Sequence, residues 1–450
     1  MAVHPIDYRY GSEEMLRIWD EENKLQRLLD VEAALARAHA KVGNIPEESA
    51  RVISERANTK YVTVERVKEI EAEIGHDIMA VVRALSDVCG EHGKYVHLGA
   101  TSNDIIDTAN ALLIRDSLDI IEKDLKDLRS ILKELAKKHK YTVCIGRTHG
   151  QHAVPTTYGM KFALWLDEIQ RHIERLHQLK ERVLVGKMRG AVGTGASFGD
   201  RALEIERLVM EDLGLKPARI TNQIVQRDVY AELVFFLALV ASTLDKIALE
   251  IRNLQRTEIL EVSEPFGKKQ VGSSTMPHKR NPVRSEKVSG LARVLYSNVI
   301  PALLNNPLWH ERDLTNSSVE RVILPESFVL LDEMLKTTKK ILRDLEFFPE
   351  NIRRNLYMTK NLIMAEPLML KLAERGMSRQ EAHELIRQLA MKAFREGRDL
   401  LEVARESEVI MRCLSEEDLE SLRPENYIGK AGEIVDSVIK YVEEMEKRGL

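Results

Sequence analysis

An all-α fold built on long helices is what this sequence predicts, and three observations predict it. Stretches 100–145 and 218–264 contain neither Gly nor Pro, the residues that most often end a helix. Apolar residues recur at spacings of three and four along three segments, from Leu118 to Leu135, from Phe162 to Val183 and from Leu237 to Leu254. Such seams belong to long helices packed in a bundle. Before a helical pattern resumes near Arg284, Pro265, Gly267, Gly272, Pro277 and Pro282 punctuate the chain. One long loop therefore interrupts a helical protein, and loops of that length are usually functional or disordered.

Residues 1–11 read as extended and polar. Ser12, followed by Glu13 and Glu14, reads as a helix N-cap with acids at the positive end of the dipole. That helix is expected to run to about Lys41 and stop near Gly43 and Pro46. Short helices follow to about Val88, and the loop EHGKYVHLGATSNDIIDT leads into the first long helix. GRTHGQH, at 146–152, joins two helices and ends before Pro155. From about Asn351 the helices shorten, with breaks at Pro367, Gly376, Gly397 and Pro424. The expected division is an N-terminal helical domain 1–105, a central long-helix bundle 106–350 carrying the loop 264–282, and a C-terminal helical cap 351–450. A helix of about 40 residues spans roughly 60 Å, whereas a compact globule of 450 residues has a radius of gyration of about 22 Å. Rods that run the length of a subunit leave elongated flanks, so a homo-oligomer sharing the bundle is expected.

Lys and Arg number 67 against 71 Asp and Glu, for a net charge of −4, a balance that argues against a nucleic-acid partner. The opening residues MAVHPIDYRYGSEEM lack the apolar core of a signal peptide. The longest apolar run, Leu233 to Ala241, is too short to cross a bilayer. Cys89, Cys144 and Cys413 show neither a disulfide framework nor a metal-ligand pair, so the cytoplasm is the expected compartment.

The long loop carries Lys268, Lys269, His278, Lys279 and Arg280 against one acid, Glu264. A basic loop in an acidic chain points to an anionic ligand, and Gly272-Ser273-Ser274 adds hydroxyls and a flexible backbone. Gly267-x-x-x-x-Gly272 is no P-loop, because Ser273 stands where Lys is required and no strand precedes it. His149, in a Gly-flanked turn, suits presentation to a pocket, and alone it reads equally as a surface histidine. His149 and His152 lack the carboxylate or cysteine that would complete a metal site. His76 beside Asp77, after Gly75, is either a helix-surface pair or an imidazole tuned by a carboxylate. Thr101 and Ser102 stand at a helix start, where free N–H groups bind carboxylates, although N-capping explains them as well. Gln223 precedes a helix, and Arg312, Ser317 and Arg321 share one stretch; a solvated surface would explain each.

GSSTMPHKRNP resembles the signature of the fumarase/aspartase lyase superfamily. Its HKRNP ending resembles that of adenylosuccinate lyases and carboxymuconate cycloisomerases. RTHGQH, GHDIMA, GATSNDIIDT and WHERDLTNSS, together with Arg9-Tyr10 and Gln223, stand as they do in adenylosuccinate lyases across roughly residues 1–350. The resemblance implies the three-domain fold of that superfamily, a homotetramer with shared active sites and no metal or cofactor. The activity it implies is β-elimination of fumarate from adenylosuccinate, giving AMP, and from the succinylaminoimidazole carboxamide ribotide, giving AICAR. Ser273 would be the general base, with Ser274 the alternative, and His149 the general acid. Arg9 and Tyr10 would hold the nucleotide phosphate beside Gly75 and Asp77, with His76 near it or assisting His149. Thr101, Ser102, Ser274, Lys279, Arg280 and Asn281 would bind the succinyl end, and Gln223, Arg312, Ser317 and Arg321 would complete the pocket. Lys287, where some relatives carry Arg, has no assigned contact. A cycloisomerase and a catalytically silent bundle are the competing readings, and the intact Ser273, His149, Lys279 and Asn281 speak against the second.

The chemistry suits these residue types. Removing a proton beside a carboxylate places a second negative charge on it, which cations and N–H donors stabilise as it develops. A serine becomes a useful base only with desolvation and nearby positive charge.

Overall fold

Ser12 starts the first helix: its side chain accepts a hydrogen bond from the Met15 N–H, capping α1 (Glu13–Trp19). The helix does not continue to Lys41 as expected. Asp20 turns extended, and its carboxylate accepts the Asn23 N–H at 2.7 Å, opening a second helix, α2 (Glu21–Lys41). Three shorter helices follow: α3 (Glu47–Arg56), α4 (Val64–Ile74) and α5 (Asp77–Cys89). Gly75 ends α4 in the left-handed region at φ 67°, and His76 then caps α5. Those two residues turn the chain between two helices, which is a structural reason for glycine there. The computed structural model describes residues 4–267, 275–276 and 278–450.

The long helices are α6 (Ser102–Lys138), α7 (Tyr158–Val183), α9 (Asp228–Leu254), α10 (Val283–Leu304) and α11 (Thr315–Arg343), with the shorter α8 (Ala202–Leu213) between α7 and α9. At 37 residues, α6 is roughly 55 Å long. The seams read from sequence are buried: Leu118, Leu125, Leu166, Ile173, Leu237 and Leu244 are all fully inaccessible. Pro301 and Pro325 lie inside α10 and α11 without ending them.

Two departures from the expected pattern matter. The segment between α6 and α7 is a β-hairpin, β1 (Val143–Thr148) paired antiparallel with β2 (Gln151–Thr157). Pro155 pairs with Ile145 inside β2 and does not close a loop. Beyond residue 348 the helices are indeed short, among them Pro349–Tyr357, Ala365–Glu374, Arg379–Glu396 and Ala431–Lys447. Pro367, however, sits in the first turn of its helix, where its missing N–H costs nothing.

The chain divides into two compact units. One comprises Met1–Lys126, His172–Leu244 and Val288–Lys336; the other comprises Asp127–Arg171, Asp245–Lys287 and Thr337–Leu450. In the first, Leu29, Ile53, Ile70 and Leu85 centre a core under α2 to α5, and Leu35, Ile105, Val209 and Met210 centre another against α6 and α8. In the second, Ile145 of the hairpin packs with Leu356, Leu368, Ile386 and Leu414. Among the described residues no helix is long and apolar enough to cross a membrane.

Candidate active site

In the first unit a cavity of about 370 Å³ is lined by Asp77, Asn103, Arg227, Arg312, Ser317 and Arg321, with Lys24 and Trp19 at its edge. Four of these, Asp77, Arg312, Ser317 and Arg321, are expected from sequence, and the fold brings them together from the start of α5, the segment before α11 and the first two turns of α11. Asp77 does not chiefly serve His76: one carboxylate oxygen accepts the Ile78 N–H at 2.7 Å and the other takes Arg321. His76 Nδ1 lies 3.6 Å from Asp77 and accepts the Met79 N–H at 3.3 Å. In neutral His76 the proton therefore sits on Nε2.

At the start of α6, the Thr101 N–H already donates to Asp104 at 2.9 Å. Asp104 is inaccessible and also takes the Lys187 ammonium and the N–H groups of Arg189 and Gly190 at 2.9 and 3.0 Å. Four donors on one buried carboxylate tie residues 187–190 to the helix start. Thr101 and Ser102 thus stand on a fixed platform, with hydroxyls that make no hydrogen bond among the described residues.

Arg312 is half-buried, and burial pulls its guanidinium below the ordinary value. Its Nη1 donates to Asn103 Oδ1 at 2.9 Å and to Gln223 Oε1 at 3.2 Å. Arg227 is 1% exposed yet doubly paired, with Asp107 and Glu320. Burial works against its charge, but Asp107, with Tyr230 and Glu320, raises it well above the usual arginine value. Asp107, Arg227, Asn316 and Glu320 are not among the residues expected from sequence, and Asn103 reads there only as an N-cap. The available signal was an Asn with an acid four residues later, at Asn103/Asp107 and Asn316/Glu320, a spacing that puts both on one helix face.

Arg9 and Tyr10 are not among the residues lining this cavity. Their segment is fastened to α11, where the N–H groups of Gly11 and Ser12 donate to Glu333 at 3.2 Å and Asp332 at 2.6 Å. Arg9 is exposed, its guanidinium 6.0 Å from the Tyr10 ring.

In the second unit, His149 and Gly150 are the central residues of the hairpin turn, with φ of 54° and 74°. Two positive φ angles make this a tight turn whose twist matches the strands, and it leaves the His149 side chain exposed at the tip. Two residues earlier the hairpin is anchored. Arg147 donates to the inaccessible Glu261 at 2.6 Å, and that carboxylate also accepts Tyr158 at 2.7 Å and Asn355 at 3.0 Å. His152, whose Nδ1 is buried with no partner among the described residues, is held below its usual value by burial and then by Arg147.

Ser273 and Ser274 lie outside the described residues, as do Lys268 and Lys269. After them, Lys279 and Arg280 are exposed and Asn281 is half-buried. The Arg280 guanidinium lies 5.1 Å from the Phe266 ring, and its carbonyl accepts Gln255 Nε2 at 3.1 Å. Glu264, the single acid of this basic stretch, is buried and accepts the N–H groups of Arg284 at 3.2 Å and Ser285 at 2.5 Å. It caps α10. Lys287 is half-buried in the second turn of α10.

Known proteins decide the family. Residues 8–296 match the family model described as Lyase, and residues 361–438 match that described as Adenylosuccinate lyase C-terminus. The chain is 87% identical to an adenylosuccinate lyase of Pyrococcus abyssi, covering 100% of both chains. To that of Methanocaldococcus jannaschii it is 57% identical over 98% of this chain and 96% of the relative. The chain belongs to the adenylosuccinate lyase family. It is accordingly a lyase with the all-α fold of the fumarase/aspartase superfamily. Among solved structures, a 3-carboxy-cis,cis-muconate lactonizing enzyme from Pseudomonas putida superposes with a TM-score of 0.89 at 35% identity, covering 97% of this chain and 98% of that one. A fumarate lyase from Mesorhizobium sp. BNC1 gives 0.89 at 36%, covering 96% and 98%. Fold therefore does not separate adenylosuccinate lyase from cycloisomerase; the far higher identity along the whole chain does.

Proposed function

We propose that the protein releases fumarate from adenylosuccinate, leaving AMP, and from the succinylaminoimidazole carboxamide ribotide, leaving AICAR, in purine nucleotide biosynthesis. The observation that carries this is 87% identity to an adenylosuccinate lyase along the whole length of both chains. In the elimination, Ser273 takes a proton from the succinyl carbon, the electron pair forms the fumarate double bond, and the C–N bond breaks. His149 gives its proton to the departing nitrogen. Ser273 acts as base because the lysines and arginine of its loop lower the cost of an alkoxide.

Thr101, Ser102, Ser274, Lys279, Arg280 and Asn281 hold the succinyl carboxylates. Arg9 and Tyr10 hold the phosphate, with Gly75 and Asp77 beside it and His76 near it or assisting His149, while Gln223, Arg312, Ser317 and Arg321 complete the pocket. The half-buried Thr101 and Ser102, whose hydroxyls make no hydrogen bond among the described residues, support the carboxylate role from their pinned platform. The proposed assembly is a cytoplasmic homotetramer with active sites shared between subunits. We retain the three-part division at residues 105 and 350, supported at its C-terminal end by the separate family match over 361–438.

The test is spectroscopic: adenylosuccinate mixed with the protein should convert to AMP in the ultraviolet spectrum. Silence with adenylosuccinate and turnover of carboxymuconate would transfer the assignment to a cycloisomerase. Ser273→Ala should lower turnover by at least about 10² while substrate still binds. Near-normal turnover in that variant would move the base to Ser274 or elsewhere.

A further inference from the structure

Arg312 touches three amide oxygens and, among the described residues, no carboxylate. Besides Asn103 and Gln223, its Nε donates to Asn316 Oδ1 at 3.2 Å. Both asparagines are gripped from behind. Asn316 Nδ2 donates to Glu320 at 2.9 Å, and Asn103 Nδ2 to Asp107 at 3.4 Å. The two acids then converge on Arg227, which reaches Asp107 at 2.8 and 2.9 Å and Glu320 at 2.7 and 3.1 Å. Six side chains from α6, the segment before α9, the segment before α11 and the start of α11 close a ring. Asp107 and Asn316 are inaccessible, and Asn103 and Arg227 are 1% exposed.

The ring has a definite electrostatic design. An amide offers one accepting end and one donating end. A carboxylate behind each asparagine claims its NH₂ and so turns its oxygen toward Arg312. A carboxylate in direct contact with Arg312 would hold it as firmly, but would also neutralise it. Here the two acids share Arg227, whose single charge offsets one of them, and they face Arg312 only across the asparagine amides. Arg312 is bonded directly only to neutral amides, and its Nη2 makes no hydrogen bond among the described residues.

We infer that Asn103 and Asn316, backed by Asp107, Glu320 and Arg227, are positioning residues that aim Arg312, which no carboxylate contacts directly, at an anionic group of the substrate. This rests on the proposed reaction, in which Arg312 lines the pocket of a polyanionic nucleotide. None of the five needs to touch substrate; they act through the orientation and charge of one guanidinium.

Asn316→Asp and Asn316→Leu, both close in shape to Asn, separate charge from packing. The aspartate places a carboxylate directly on Arg312. It should raise KM for adenylosuccinate by about tenfold to a hundredfold, more than the leucine does, with kcat changing far less. A purely structural role predicts the reverse order, or loss of folded protein with KM unchanged; either result overturns the inference. Should Asn316→Asp fail to fold, the half-exposed Arg312 is tested itself. Arg312→Lys retains charge without the fork that meets three oxygens, and should be as impaired in KM as Arg312→Ala; a lysine that restores KM overturns aiming. Wild-type silence toward adenylosuccinate would defeat the proposed reaction. Wild-type turnover with KM unchanged in Asn316→Asp would defeat this inference alone.

Discussion

In the first unit Arg312 joins a largely buried hydrogen-bonded ring, whereas in the second His149 projects from a turn two residues beyond Arg147, the anchor on buried Glu261. Both units contain a carboxylate hub shut off from solvent, Asp107 in one and Glu261 in the other. They use it differently. Asp107 acts one amide away from the cavity-lining arginine, while Glu261 secures the base of the hairpin and leaves its tip to reach outward. A charge that binds must be held in place, and here the groups that touch it are neutral amides. A group that transfers a proton must be brought to the reacting atom, and a tip on a rigid base serves that purpose.

The largest expected effect tests the tip. His149→Asn, chosen because Asn tolerates the left-handed φ found there, should cut turnover by about 10² to 10⁴. The denaturation midpoint should stay near wild type, since the side chain is exposed. A large stability loss would mean that the tip is part of the framework. Glu261→Ala tests the base. Stripping the partner from Arg147, Tyr158 and Asn355 should cost about 3–5 kcal/mol of stability, read as a lowered guanidinium midpoint. An unchanged midpoint would show that the hub is dispensable.

These two positions also show what the sequence could reveal. The long helices were legible because each seam is a local repeat, and every seam residue from Leu118 to Leu132 is fully buried. The Ser12 cap was legible for the same reason. The break at Asp20 was missed although Asp followed by two acids is itself a cap pattern, because the apolar repeat runs through it. The hairpin was read as a loop because a short alternating segment beside a proline is a weak signal. The presentation of His149 in a turn was nonetheless visible from its flanking glycine. The ring around Arg312 was hidden: Asp107, Arg227 and Glu320 lie far apart in the chain, and each alone resembles an ordinary helix charge.

Smaller effects sharpen the comparison further. Arg9→Ala should weaken AMP binding by about tenfold and leave fumarate binding nearly unchanged, as calorimetric titration would show. Equal losses would contradict the assigned polarity of the pocket. The smallest effect concerns the framework of the second unit. His139 stacks on Phe347 with ring centroids 4.0 Å apart; burial, and then Lys138, bring it down to about 4. Between about pH 6.5 and pH 4 the unfolded chain takes up a proton that the folded state refuses, so stability falls as the pH drops through that window. His139→Phe should flatten the fall by roughly 1–2 kcal/mol, measured as unfolding midpoints at pH 7 and pH 4.5. An unaltered slope would show that another group governs the acid limit.

Glu264 and Gln255 carry a different kind of consequence. Glu264 reaches forward to the N–H groups at 284 and 285, and Gln255 joins the carbonyl of Arg280 to the N–H of Glu264 at 2.9 Å. The stretch between is thereby a closed stitch, its two ends sewn together by side chains outside the segment that carries the signature. Closure entropy depends only weakly on what lies within such a stitch. Lengthening the loop between the stitched ends should therefore cost this frame little, since the side chains that close it lie on its two shoulders.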